Sequence, residues 1–227
     1  MVGTFVNAGA IIAGSLAGLI VGRRLPEAIS DTVMQGVGLF TVFLGLRMAG
    51  GTENPVLVLV SLAVGTVIGS LIDIERRLDG LGQRLKRIAP DAAGATFTQA
   101  FVASSLLYCV GPMAVMGAIQ DGLTGDWSVL ATKSLMDGIT SCAYASSLGL
   151  GVGFSALPIL LYQGAITMLA GTVKPLMTDP VLREMTAVGG ILVLGIGWNL
   201  AMRARFRIGN MLPAVFVAAA AAFFLAS

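Results

Sequence analysis

The chain contains no histidine. That absence removes the commonest general base and the commonest zinc ligand, so a His-dependent hydrolase and a zinc site are excluded. Charge is also scarce. Only 11% of the 227 residues are Asp, Glu, Lys or Arg, against about 25% in soluble domains, whose surfaces must face water. So few charges cannot cover a water-soluble globule. The net charge is +2, which leaves no basic footprint for nucleic acid. Aromatic residues make up 7%, too few for the girdles of a transmembrane barrel. The two cysteines, Cys109 and Cys142, lie inside apolar runs and read as buried thiols, not as a disulfide framework. No P-loop, HExxH, GxSxG or CxxC pattern occurs. Nucleotide hydrolysis and the familiar membrane-protease chemistries therefore have no support, no cofactor is implied, and the chain does not read as an enzyme.

What the sequence does hold is apolar surface. Hydrophobic residues make up 56% and mean hydropathy is +0.89. The 30 glycines suit helices whose backbones approach closely in a bilayer. A hydrocarbon core of about 30 Å needs roughly 20 apolar residues per helix. That ruler predicts an all-α polytopic membrane protein with about eight transmembrane helices, near 4–22, 32–49, 55–73, 97–119, 129–152, 156–172, 186–203 and 211–226. Arg23 and Arg24 follow the first apolar stretch instead of preceding it, so that stretch reads as a mature helix, not a signal peptide. Arg76, Arg77, Arg84, Lys86 and Arg87 follow the third helix, and Arg203, Arg205 and Arg207 the seventh. Alternating helices bring these clusters to one side, predicted to be cytoplasmic, with both termini outside. Glu53, Asp121, Asp126, Asp179 and Glu184 fall in the opposite loops. The cytoplasmic stretch 74–96 reads as an amphipathic surface helix, with Ile74, Leu78, Leu81 and Leu85 on one face, followed by a linker holding Pro90 and Gly94.

A weak repeat runs through the chain. Met34-Gln35-Gly36 returns as Tyr162-Gln163-Gly164, and Asn54-Pro55-Val56-Leu57 as Asp179-Pro180-Val181-Leu182. Ala63-Val64-Gly65 returns as Ala187-Val188-Gly189, and Phe101-Val102-Ala103 as Phe216-Val217-Ala218, always in the same order. The expected organisation is two related four-helix halves, 1–122 and 127–227, within one membrane domain. The charge pattern favours a parallel repeat over an inverted one.

Few groups could carry chemistry. Lys133 and Asp137 stand at i and i+4 in the fifth helix, so they share a face and can pair. Asp137 lies roughly 12 Å along that helix, near the midplane. An ionisable group there is costly unless it is paired or wet, and is a functional candidate by default. The bland reading is a salt bridge that pins the helix to a neighbour. By the repeat, Asn7 is the first-half mate of Asp137, and Gln35 and Gln163 are mates of each other. Amides and carboxylates supply oxygen ligands for a hard cation or hydrogen bonds for a polar solute, although amides in helices are often only interhelical glue. Ser104 and Ser141 belong to a hydroxyl-rich group in the fourth and fifth helices that could line a wet path or bond to its own i−4 carbonyls. Gly14, Gly18 and Gly22 predict close helix contact, within the fold or across a dimer. Gly111-Pro112 predicts a kink, and Gly149, Gly151 and Gly153 an unwinding, both near the deep charges. Arg47, Asp73 and Lys174, at predicted helix ends, read as snorkelling anchors.

The runs Gly3-Thr4-Phe5-Val6-Asn7-Ala8, Cys109-Val110-Gly111-Pro112-Met113-Ala114-Val115-Met116-Gly117, Lys133-Ser134-Leu135-Met136-Asp137-Gly138 and Tyr162-Gln163-Gly164 resemble the YqgA/YdfK family. These are prokaryotic multi-pass membrane proteins of unknown function, and the likeness extends over the whole chain. It implies residence in the prokaryotic inner membrane and a sodium channel or pump activity, and it assigns no site residues. The combined expectation is a secondary transporter or channel for a small cation (sodium or proton) or polar solute, with Asp137, Lys133, Asn7, Gln35, Gln163, Ser104 and Ser141 at the site. A non-transporting scaffold acting through helix contacts is the alternative. The implied partners are the lipid bilayer, that solute, and a second copy of the chain.

Overall fold

The structure, a computed structural model, describes residues 1–22, 26–88, 96–109, 111–202, 204 and 206–226. Twelve α-helices are seen among them, and no strand. They are α1 Val2–Gly22, α2 Glu27–Ala49, α3 Pro55–Ile72, α4 Ile74–Ile88, α5 Phe97–Cys109 and α6 Pro112–Thr124. Then come α7 Ser128–Leu148, α8 Gly151–Phe154, α9 Ala156–Met168, α10 Ala170–Val173, α11 Asp179–Met202 and α12 Pro213–Ala226. Six stretches among the described residues are long and apolar enough to cross a membrane, or seven if the bent pair α5–α6 counts as one span. The helix α7 has the length, 21 residues, but its charges and hydroxyls dilute its apolar character. Eight spans were expected. The protein is a multi-pass, all-helical integral membrane protein.

The breaks follow from local chemistry. The 97–119 segment is not one helix. Gly111 adopts φ 140 and Pro112 has no N–H to continue the ladder, so α5 and α6 meet at 63°. Gly149, at φ 86, ends α7, and the short α8 and α9 follow it. The start of α3 is capped by Asn54, whose side chain accepts from the Leu57 N–H at 3.0 Å, with Pro55 in the first turn. Asp73, expected as an anchor, instead closes α3 in the left-handed conformation, at φ 52.

Glycine seams join the helices. The packing of α1 on α7 is among the most extensive in the fold. Along it Gly14, Gly18 and Gly22 lie against the backbone of Gly138, Cys142 and Ser146, so the two helices run parallel. A Cβ at any of the three would overlap a carbonyl oxygen of α7. The pair α2 and α11 runs antiparallel, with Gly38 facing Ala201 and Gly45 facing Leu194. The pair α3 and α12 does likewise, with Gly65 facing Ala214 of α12 and Gly69 facing Asn210 in the 3-10 turn just before it.

Three carboxylates expected in loops lie in helices instead, Asp179 at the start of α11 and two others buried. Asp121 is buried in α6, which runs on to Thr124, and it accepts from the Gly3 N–H at 3.1 Å, with the Met1 amino group also 3.1 Å away. Glu184 is buried in α11, which begins at Asp179, and accepts from the Thr52 hydroxyl at 2.5 Å and the Glu53 N–H at 3.0 Å. The surface helix α4 is present as expected, and Glu75 in its first turn accepts from the Gly209 N–H at 2.5 Å. Of the basic residues used to orient the chain, Arg23, Arg24, Arg203 and Arg205 lie outside the described residues, as does the 89–95 linker.

Candidate functional site

The helix α7 is turned inside out relative to a soluble helix. Leu130, Lys133, Ser134, Asp137, Ser141, Tyr144 and Leu148 recur at three- and four-residue intervals and form its buried face. Leu135 and Ile139, 67% and 64% exposed, point away from the protein. In hydrocarbon this is the favourable arrangement, because apolar side chains face lipid and polar ones face each other. The start of α7 is held by Asp126, whose carboxylate accepts from the Ser128 N–H at 2.9 Å. That hydrogen bond holds this exposed carboxyl below the ordinary Asp range.

The ammonium of Lys133 and the carboxylate of Asp137 form an ion pair within α7. They are 6% and 8% exposed. The Lys133 ammonium also stands 6.0 Å from the centre of the Tyr108 ring on α5, within cation–π range. Asn7 on α1 is buried close to Asp137. Its Nδ2 donates to Gln163 Oε1 on α9 at 3.3 Å. One turn further along α7, Ser141 bonds with the Tyr108 hydroxyl at 2.8 Å, and beyond it Tyr144 bonds with Thr41 on α2. The polar face of α7 thus reaches α5 and α2, with the Asn7–Gln163 pair of α1 and α9 beside it.

Five of the seven expected site residues are brought together in this way: Asp137, Lys133, Asn7, Gln163 and Ser141. Ser104 is buried one turn from Tyr108 on α5, but its hydroxyl donates to the Ala100 carbonyl at 2.7 Å, the self-bonding use of a helical serine. Gln35 is exposed on α2 and bonds to none of the others. Several buried atoms of the cluster lack partners: Asn7 Oδ1, Gln163 Nε2, Thr4 Oγ1 and Thr167 Oγ1. Each unsatisfied polar atom in a dry interior costs about 1–3 kcal/mol. A native fold keeps such atoms where something polar can reach them.

A cavity of about 400 Å³ opens beside the ion pair. Its walls include Arg47 and Met48 of α2, Tyr108 of α5, and Lys133, Asp137 and Thr140 of α7, and the Gly111–Pro112 break forms one side. The broken ladder therefore borders a cavity, a setting in which irregular backbone in a membrane protein is tolerated. Arg47, expected to be an anchor, is part of the site wall. No signal in the sequence linked it to the fifth helix, because the contact depends on how α2 packs. For Asp121 a usable signal existed. Gly125, at φ 72, is the helix stop, and placing it there would have kept Asp121 inside the helix. Among the described residues, no cluster of three or more His, Cys, Asp or Glu could hold a metal ion.

Residues 2–223 match the family described as protein of unknown function, DUF554. The chain belongs to that family. It is similar to the uncharacterized membrane protein YdfK of Bacillus subtilis (strain 168), 31% identical over 221 residues, which covers 96% of this chain and 93% of YdfK. It is similar also to the uncharacterized protein YqgA of Escherichia coli (strain K12), 31% identical over 223 residues, or 96% of this chain and 94% of YqgA. No solved structure matches this DUF554 chain.

Proposed function

We propose that the protein is a secondary or passive transporter of a small polar or charged solute, in the inner membrane with both termini outside, and that the cavity beside Lys133 and Asp137 is its solute site. The observation that carries this reading is an ion pair about nine-tenths buried that lines a cavity of about 400 Å³. A salt bridge serving only to pin helices would gain nothing from an adjoining void, since desolvating the charges is costly and empty space forfeits packing. The break at Gly111–Pro112 supports the same reading, because broken helices at membrane depth mark solute sites in transporters. Of the two cargo types raised by the sequence, a polar solute is favoured over a small cation, because Lys133 occupies the Asp137 carboxylate that a cation would need. The parallel packing of α1 on α7, the first helix of each half, supports the division into related halves 1–122 and 127–227.

The competing scaffold reading drew on Gly14, Gly18 and Gly22. Those glycines are used up inside the fold against α7, so their face is not free for a partner. The test is flux in proteoliposomes across a panel of small ions and polar solutes. For whichever solute the native protein moves, Asp137→Asn should cut the rate by about tenfold or more, the worth of roughly 1.4 kcal/mol. Undiminished flux with unchanged pH dependence in that variant would remove the site from this cavity.

A further inference from the structure

The cavity lining carries one more positive charge than negative. Lys133 is neutralised by Asp137, whereas Arg47, in the last turn of α2, has no ion-pair partner among the described residues. The first turn of α6 borders the same space through Gly111, Pro112 and Met113, but Pro112 has no N–H and the Ala114 N–H is taken by the Gly111 carbonyl, so the anion anchor is Arg47. Most of the remaining wall is apolar, with Leu44, Met48, Leu107 and Met136 among it. A cation entering here would give up hydration for a carboxylate already engaged by Lys133. An anion meets a guanidinium whose planar fork matches a carboxylate, at the mouth of a pocket that can cover an apolar body.

We propose that this cavity binds a small organic carboxylate, its head against Arg47 and its apolar body against the Leu and Met side chains. The proposal rests on the reading of the cavity as a solute site, and it names the class of solute. Two sources could bring the same chemistry: a water-soluble organic acid, or an anionic lipid reaching in from the bilayer. The cavity volume of about 400 Å³ favours the first, because it suits a small acid and would not hold a two-chain lipid.

The test is equilibrium binding of radiolabelled benzoate and benzylammonium, two probes of the same body and opposite charge. The full chain is held in phosphatidylcholine nanodiscs, with empty nanodiscs as the control. Benzoate should bind saturably and benzylammonium should not. Arg47→Gln, a change at an exposed side chain that leaves the buried pair intact, should weaken benzoate by about tenfold or more. Adding phosphatidylglycerol should leave benzoate binding in place. Equal or tighter binding of benzylammonium, no binding of either probe, or indifference to Arg47→Gln would overturn the proposal. Complete displacement of benzoate by phosphatidylglycerol would assign the site to lipid and overturn it as well. Benzoate binding without any benzoate flux in proteoliposomes would keep the site and remove only the transport reading.

Discussion

Replacing Lys133 with Met leaves Asp137 buried without its counter-charge. Breaking a buried ion pair from one side costs about 3–5 kcal/mol, whereas replacing both partners with apolar residues is often neutral. Thermal unfolding in detergent micelles should therefore show Lys133→Met strongly destabilised, and the double variant Lys133→Met/Asp137→Leu recovering most of the loss. A double variant as unstable as the single would show that the two charges do not act as a pair. Glu184→Ala should cost about 1–3 kcal/mol in the same assay, because the Thr52 hydroxyl and the Glu53 N–H lose their acceptor. Lys133 and Asp137 were legible in the sequence because two charges four residues apart stand out inside an apolar run. Glu184 was not. Asp179, Pro180 and Arg183 surround it with loop-like polarity, and only the start of α11 at Asp179 shows that it lies on a helix. The unsatisfied atoms of Asn7 and Gln163 were equally invisible, since which amide meets which depends on the antiparallel approach of α9 to α1.

At the scale of the element, the glycines of α1 give a contrast within one helix. Gly18 abuts the backbone of Cys142, while a Cβ at Gly9 meets nothing within 4 Å. Gly18→Leu should prevent α1 from seating and yield aggregated protein on size exclusion. Gly9→Ala should keep a monodisperse peak and gain about 0.5–1 kcal/mol from the lower backbone entropy of alanine. Equal tolerance at both positions would mean that α1 does not lie against α7 along this seam. The docking of α4 should depend on pH. Burial raises the Glu75 carboxyl above 4.5, with Asp79 adding to the shift, while the Gly209 N–H and Arg207 oppose it. The folded state thus holds this proton more tightly than the unfolded chain does. The resulting stabilisation is full below 4.5 and fades as pH rises through the raised value. Amide protection of α4, corrected for intrinsic exchange, should fall over that rise in the native protein and stay flat in Glu75→Gln. The amphipathic pattern of α4 and the Gly111–Pro112 break could be read directly, since each is a local signal. The end of α6 and the start of α11 could not, because polar residues inside those helices look like loop until their buried partners are known.

For the whole molecule, scarcity of charge was enough to establish the class: a multi-pass helical membrane protein, which the family match and the long apolar helices bear out. The structure adds a polar interior built on one helix. The helix α7 turns its charges inward and its apolar side chains outward, and α1, α2, α5 and α9 close around it. Solvent in the cavity beside α7 is the central claim, and two neighbouring positions report on it. Thr140 lines the cavity and Ile139 faces outward. In a background with Cys109 and Cys142 replaced by Ala, single Thr140→Cys and Ile139→Cys variants in native membranes would be treated with a small charged methanethiosulfonate reagent. Cysteine at 140 should be modified rapidly, more slowly with solute occupying the cavity, and cysteine at 139 should not be modified. An unreactive cysteine at 140, alike with 139, would show a dry cavity and contradict that claim.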